Sequence, residues 1–163
     1  MPAPQPSAVL HVMAKPIYVL NGPNLNLLGS REPTVYGSET LEDVRERCER
    51  KATKFGFAVD FRQSNHEGEL VAWIQEARDK AVGLIVNAGA FTHSSIAMLD
   101  ALLASELPCV EVHLSNIFQR ESFRHNSYIS KGAKGVICGF GPLGYELAVE
   151  ALIASIEPKT QRS

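Results

Sequence analysis

The chain has 163 residues, 45% hydrophobic and 21% charged, with a formal net charge of -2. This is the size and composition of one soluble globular domain with a sizeable core. The charge excludes a bulk basic surface for nucleic acid, and no run of about 18 apolar residues offers a membrane span. A small anionic ligand would therefore have to be met by local cations. The cysteines, Cys48, Cys109 and Cys138, are odd in number and far apart. Without a CxxC pair they read as buried free thiols in a reducing, cytoplasmic setting.

Residues 1–15 are Pro- and Ala-rich, lack a charged start, and read as a flexible extension rather than a signal peptide. A single catalytic domain is expected over 16–157, with a short tail at 158–163. Strands are predicted at Ile17–Asn21, Phe57–Gln63, Val82–Asn87, Cys109–Leu114 and Gly135–Cys138, several as continuous Val/Ile/Leu runs suited to burial on both faces. Helical stripes fill the gaps. Leu41, Val44, Cys48, Ala52 and Phe55 follow a Thr40/Asp43 capping box and end at Gly56. Leu70, Val71, Ile74 and Ala77 are closed by Gly83, and Ile96, Leu99, Leu102 and Leu103 end before Pro108. Leu147, Val149, Leu152 and Ile156 mark the last helix. Strands alternating with helices predict an α/β, flavodoxin-like three-layer fold, a five-stranded parallel sheet in the order 2-1-3-4-5.

In such folds ligands bind beyond the carboxyl ends of the strands, at the topological switch point. Strand one runs into a long Gly/Pro/Asn-rich connection, 21–37, that holds Asn24, Arg31 and Tyr36. Connections of that length in compact domains are usually functional. Strand three is followed by Asn87-Ala88-Gly89-Ala90-Phe91-Thr92-His93-Ser94-Ser95, and strand four ends Glu111-Val112-His113-Leu114-Ser115-Asn116, with Arg120 and Arg124 beyond. There is no Walker A loop, no GxGxxG, no HExxH and no GxSxG. The sequence thus offers no motif for a nucleotide, a metal or a serine nucleophile.

Taken singly, these residues have plain structural readings. Asparagines make turns, a loop tyrosine anchors a surface, and arginines four apart form a solvated face. Together they describe acid–base chemistry. A free tyrosine has a pKa of about 10, and a guanidinium such as Arg31 lowers it, so Tyr36 could serve as a general base. Glu111 lies on the same strand face as His113 and could hold it in one tautomer as a general acid. A base and an acid on opposite sides of a ligand suit elimination of water. Backbone N–H groups near Leu114 and Ser115, with arginine, would meet the ligand's charge.

The blocks Asn21-Gly22-Pro23-Asn24-Leu25, Leu28-Gly29, Arg31-Glu32-Pro33 and Tyr36-Gly37 resemble the opening signature of type II 3-dehydroquinate dehydratases. Asn87-Ala88-Gly89-Ala90 with Thr92-His93-Ser94-Ser95, and Glu111 to Asn116 with Arg120-Glu121, Phe123-Arg124 and Ser127, match two more blocks. Ser64 to Leu70 resembles a fourth. The resemblance runs from about Ile17 to Ile156. It implies a cofactor-independent, metal-free lyase that removes water from 3-dehydroquinate by anti elimination through an enolate. By the same resemblance, Tyr36 accepts the C2 proton, Arg31 stabilises phenolate and transition state, and His113 protonates the leaving C1 hydroxyl. Glu111 orients His113, and Asn24 positions a water at the enolate. Substrate contacts fall to Asn87, His93, Leu114, Ser115 and Arg124, with Arg120 a second cation near the tyrosine. Asp100 corresponds to an aspartate that reaches a neighbouring subunit's site in a homododecamer, a tetramer of trimers. Two other readings stay open, a non-catalytic module that holds a small anion and a nucleotide- or flavin-using enzyme. By the resemblance, the reaction belongs to shikimate formation or to quinate breakdown, which share it.

Overall fold

The computed structural model describes residues 14–30, 34 and 37–156. Residues 1–13 of the N-terminal extension, the C-terminal tail, Arg31 and Tyr36 lie outside the described residues. Five strands, β1 (Ile17–Asn21), β2 (Val59–Gln63), β3 (Gly83–Asn87), β4 (Cys109–His113) and β5 (Gly135–Cys138), form one sheet in the order β2-β1-β3-β4-β5. All four pairings are parallel. The expected flavodoxin-like order is therefore the observed one, and the chain reverses direction across the sheet between β1 and β3.

Alternation along the strands builds two cores. Ile17 and Val19 face helices α1 (Leu41–Thr53) and α4 (Leu143–Ile156), packing with Val44, Cys48, Ala52, Val149 and Leu152. Tyr18 and Leu20 face α2 (Glu67–Lys80) and α3 (Ile96–Ser105), packing with Leu70, Ile74, Met98 and Leu102. β1, β3 and β4 are buried along their whole length, whereas β5 forms an edge with Val136 exposed. Continuous apolar runs in the three inner strands follow from cover on both faces.

Local signals set the helix ends. The capping box is present: the Asp43 N–H donates to Thr40 Oγ1 at 3.2 Å, and the Thr40 N–H to Asp43 Oδ2 at 2.8 Å. At the far end of α1, Gly56 has φ +83, and the N–H groups of Gly56 and Phe57 donate to the carbonyls of Thr53 and Ala52. This is a Schellman closure, which favours glycine at that position. Two expectations need correction. Gly83 does not close α2, which ends at Lys80; it opens β3, where a Cβ would stand 2.9 Å from Leu152 Cδ1 and 3.1 Å from the Pro108 carbonyl oxygen, so the glycine suits the close approach of α4. Cys48 and Cys109 are buried thiols, but Cys138, on the edge strand, is only partly covered. The last helix begins at Leu143, before its apolar stripe, which brings Tyr145 into its first turn.

Candidate active site

β1, β3 and β4 all end at one rim of the sheet, and Asn21 and Asn87 stand side by side there in register. Above them opens a cleft of about 860 Å³, its mouth included. Two glycines let the connections after β1 and β3 close against each other. At Gly22 a Cβ would fall 2.2 Å from the Ala88 carbonyl oxygen. At Gly89, whose φ is +57, it would fall 3.1 Å from the Pro23 oxygen. The segment after β2 fastens the same region. Asn65 Oδ1 accepts from the Asn24 N–H at 3.0 Å, and Gln63 Nε2 donates to the Gly22 carbonyl at 3.1 Å.

Asn24 lies on this cleft in a left-handed conformation, φ 69, which asparagine tolerates better than most residues. Asn87 and His93 line it from the β3 side. His113, Leu114 and Ser115 line it from the end of β4, and Arg120 and Arg124 from the connection beyond. Eight of the residues singled out in the sequence thus converge on one cavity. Asp100 does not; it sits exposed on α3. Glu111 lies beneath the cleft, with no exposed surface.

Hydrogen bonds fix several of these side chains. His93 Nδ1 is 2.8 Å from the Asn126 carbonyl, which only accepts, so Nδ1 carries the proton and Nε2 is the ring's acceptor in the neutral form. His125 Nε2 likewise donates to the Arg120 carbonyl at 2.9 Å and ties down the arginine-bearing connection. Glu121 Oε2 accepts from Arg124 Nε at 2.9 Å and lies 3.9 Å from Arg120 Nε, a carboxylate set between the two cations. His113 Nε2 is 2.7 Å from Glu111 Oε1. Burial pushes the Glu111 carboxyl up, but hydrogen bonds from His113, Ser127 and Ser130 outweigh it and hold the carboxyl below its ordinary value. The pair is therefore an ionised carboxylate hydrogen-bonded to an imidazole, which fixes the orientation of the ring.

Three contributors escaped the sequence reading. Tyr145 reaches from α4 over the strand ends; its hydroxyl donates to Asn21 Oδ1 at 2.7 Å and accepts from Asn87 Nδ2 at 2.8 Å. Burial raises this phenol's pKa further, although the Asn87 bond opposes it, so the group is a neutral structural hydroxyl and not a base. Asn87 Oδ1 also accepts from the Gly89 N–H at 3.3 Å, which holds the amide in one orientation. Ser127 and Ser130, in the turn after Arg124, supply the remaining donors to Glu111. Ser127 stood in a matched block without a role, and Ser130 carried no signal at all. Among the described residues no group of three His, Cys, Asp or Glu side chains is placed to hold a metal ion, and no helix is long and apolar enough to cross a membrane.

The geometry is that of a flavodoxin-like α/β protein whose switch-point cleft carries a buried carboxylate–imidazole pair and local cations. The model of the Dehydroquinase class II family matches residues 15–153. A 3-dehydroquinate dehydratase of Phenylobacterium zucineum is 60% identical over 139 residues, 85% of this chain and 96% of the relative. A 3-dehydroquinate dehydratase 2 of Pseudomonas aeruginosa is 59% identical over 138 residues, 85% of this chain and 93% of the relative. The crystal structure of a type II dehydroquinase from Propionibacterium acnes superposes with a TM-score of 0.82 at 44% identity, covering 87% of this chain and 98% of its own. The chain belongs to the class II dehydroquinase family.

Proposed function

We propose that this protein is a lyase that removes water from 3-dehydroquinate to give 3-dehydroshikimate, by anti elimination through an enolate. The observation that carries the proposal is the His113–Glu111 pair. His113 stands at the end of a buried strand and lines a cleft that two arginines also line, which supports its reading as the proton donor. In the first step Tyr36, as phenolate beside Arg31, takes the C2 proton, and the electron pair moves into the carbonyl to form the enolate. In the second, the enolate collapses, the C1–O bond breaks, and His113 protonates the departing hydroxyl, which leaves as water. Tyr36 is then protonated and His113 neutral, and exchange with solvent resets both.

Asn24 would position a water that stabilises the enolate. Backbone N–H groups of Leu114 and Ser115 and the Arg124 guanidinium would receive the carboxylate, with Asn87 and His93 on ring hydroxyls. Arg120 would add positive charge near the tyrosine. No cofactor or metal enters this scheme. The unit of activity is proposed as one catalytic domain, 16–157, in a cytoplasmic homododecamer built as a tetramer of trimers. Exposed Asp100 would serve a neighbouring subunit's cleft.

The test is absorbance at the enone band of the product when purified protein meets 3-dehydroquinate, with EDTA and borohydride controls. A rise unaffected by either control supports elimination without metal or Schiff base. Binding by calorimetry without any rise would reduce the protein to an anion-binding module.

A further inference from the structure

The Glu111 carboxylate is buried, and an uncompensated charge there would be costly. Each of its oxygens has a hydroxyl donor. Ser127 Oγ donates to Oε1 at 2.6 Å, the oxygen that also faces His113 Nε2 at 2.7 Å. Ser130 Oγ donates to Oε2. Both serines come from one short turn that includes Ile129–Lys131, and the Ser130 N–H donates to Ser127 Oγ at 3.0 Å, so backbone and side chain brace each other. Buried Ile129 between them anchors the turn in the core.

We propose that Ser127 and Ser130 are positioning residues for the dehydration, clamping the Glu111 carboxylate so that His113 is held with Nε2 as donor and Nδ1 toward the cleft. This rests on His113 as the proton donor of the reaction. The logic is one of orientation. With a hydroxyl donor on each oxygen the carboxylate is held against turning, and Oε1 stays on His113 Nε2. Stripped of a donor, the carboxylate is free to turn and its carboxyl shifts upward while staying ionised near neutral pH, and the imidazole loses its fixed aim into the cleft. Three further titratable groups bear on the pair. Cys109, on the same strand, is a buried thiol pushed up by desolvation and by the charge of Glu111, and so remains neutral. Arg120 and Arg124 share the cleft with His113. Two motions of the clamp would cost contacts. Rotation of Glu111 would break both serine contacts, and withdrawal of the turn would unseat Ile129.

Ser130→Ala is the cleaner variant, because the Ser127 hydroxyl also accepts a backbone N–H. The expected result is a folded protein whose kcat falls at least about tenfold, a part of the roughly 10²–10⁴ that a positioned general acid contributes, while KM stays within about twofold. The Glu111 carboxyl titration, followed by 13C NMR of ligand-free protein, moves upward by about one unit, the size of one hydrogen bond to a buried charge. Ser130→Thr, which keeps a hydroxyl, recovers most of the rate. A kcat within about twofold of wild type, or a fall in kcat with an unmoved Glu111 titration, overturns the clamp. Should Ser130→Ala fail to fold, the wild-type imidazole decides: neutral His113 found by 15N NMR with its proton on Nδ1 overturns the proposal, and on Nε2 upholds it. The two NMR readings need no turnover, so a wild-type protein that fails to dehydrate 3-dehydroquinate sinks the reaction and leaves the clamp to be judged separately.

Discussion

Tyr145→Phe removes one oxygen atom from the centre of the switch point. The phenol is fully buried, and its hydroxyl makes two bonds, to Asn21 Oδ1 and from Asn87 Nδ2. Asn21 and Asn87 are themselves buried. The ring stays in place, so no apolar contact is lost. What remains is a buried acceptor on Asn21 without its donor and one N–H of Asn87 without its acceptor. Two net hydrogen bonds are worth about 1–3 kcal/mol, and stranding the Asn21 oxygen adds about 1–3 kcal/mol, so a loss of about 2–6 kcal/mol is expected. Urea unfolding at fixed protein concentration should show a lower midpoint with an unchanged slope. Heating should show a lower Tm, by about 2–4 °C for each kcal/mol in a chain of this size. With the Asn87 amide released, KM for 3-dehydroquinate should rise more than kcat falls. A stability change under about 0.5 kcal/mol, no larger than an ordinary surface substitution, would refute the view that this hydroxyl joins the strand ends.

Gly22→Ala should be worse tolerated than its size implies. Its methyl would lie 2.2 Å from a backbone oxygen that cannot rotate away, so the connections after β1 and β3 must separate. We expect at least the roughly 1–3 kcal/mol of an overpacked core and a steep loss of kcat/KM, measured by melting and by the enone assay. The depressed Glu111 pKa implies acid sensitivity with a definite sign. Its stabilisation is complete above the ordinary carboxylate value of 4.5 and is lost as pH falls through the lower folded value. Glu111→Gln should flatten that part of the stability profile; an identical profile would remove Glu111 as its source. Tyr36→Phe should abolish turnover while substrate affinity by calorimetry stays nearly unchanged, and near-wild-type kcat would exclude Tyr36 as the base.

The strands were legible because burial on both faces leaves an unbroken apolar run, and they fall within two residues of expectation. Thr40 and Gly56 were legible because capping is local chemistry. Gly83 was misread because its reason is distant: Leu152 packs on it across the fold. The cleft residues were legible where strand ends and motif coincided, as at Asn87 and His113. Tyr145 was hidden within an apolar helix, since a stripe pattern says nothing of where a hydroxyl points. Ser130 was hidden because a serine acquires meaning only when its turn folds back beneath a carboxylate nineteen residues earlier in the chain.

The Tyr145 bonds span 124 residues to Asn21 and 58 to Asn87. During synthesis from the N-terminus, β1 and β3 therefore emerge long before the residue that joins their tips. Loop closure over such separations is entropically unfavourable until the intervening contacts have formed. The cleft should thus be among the last regions to become ordered, and a nascent chain stalled before residue 145 could hold most of the sheet and both asparagines yet lack a finished binding surface.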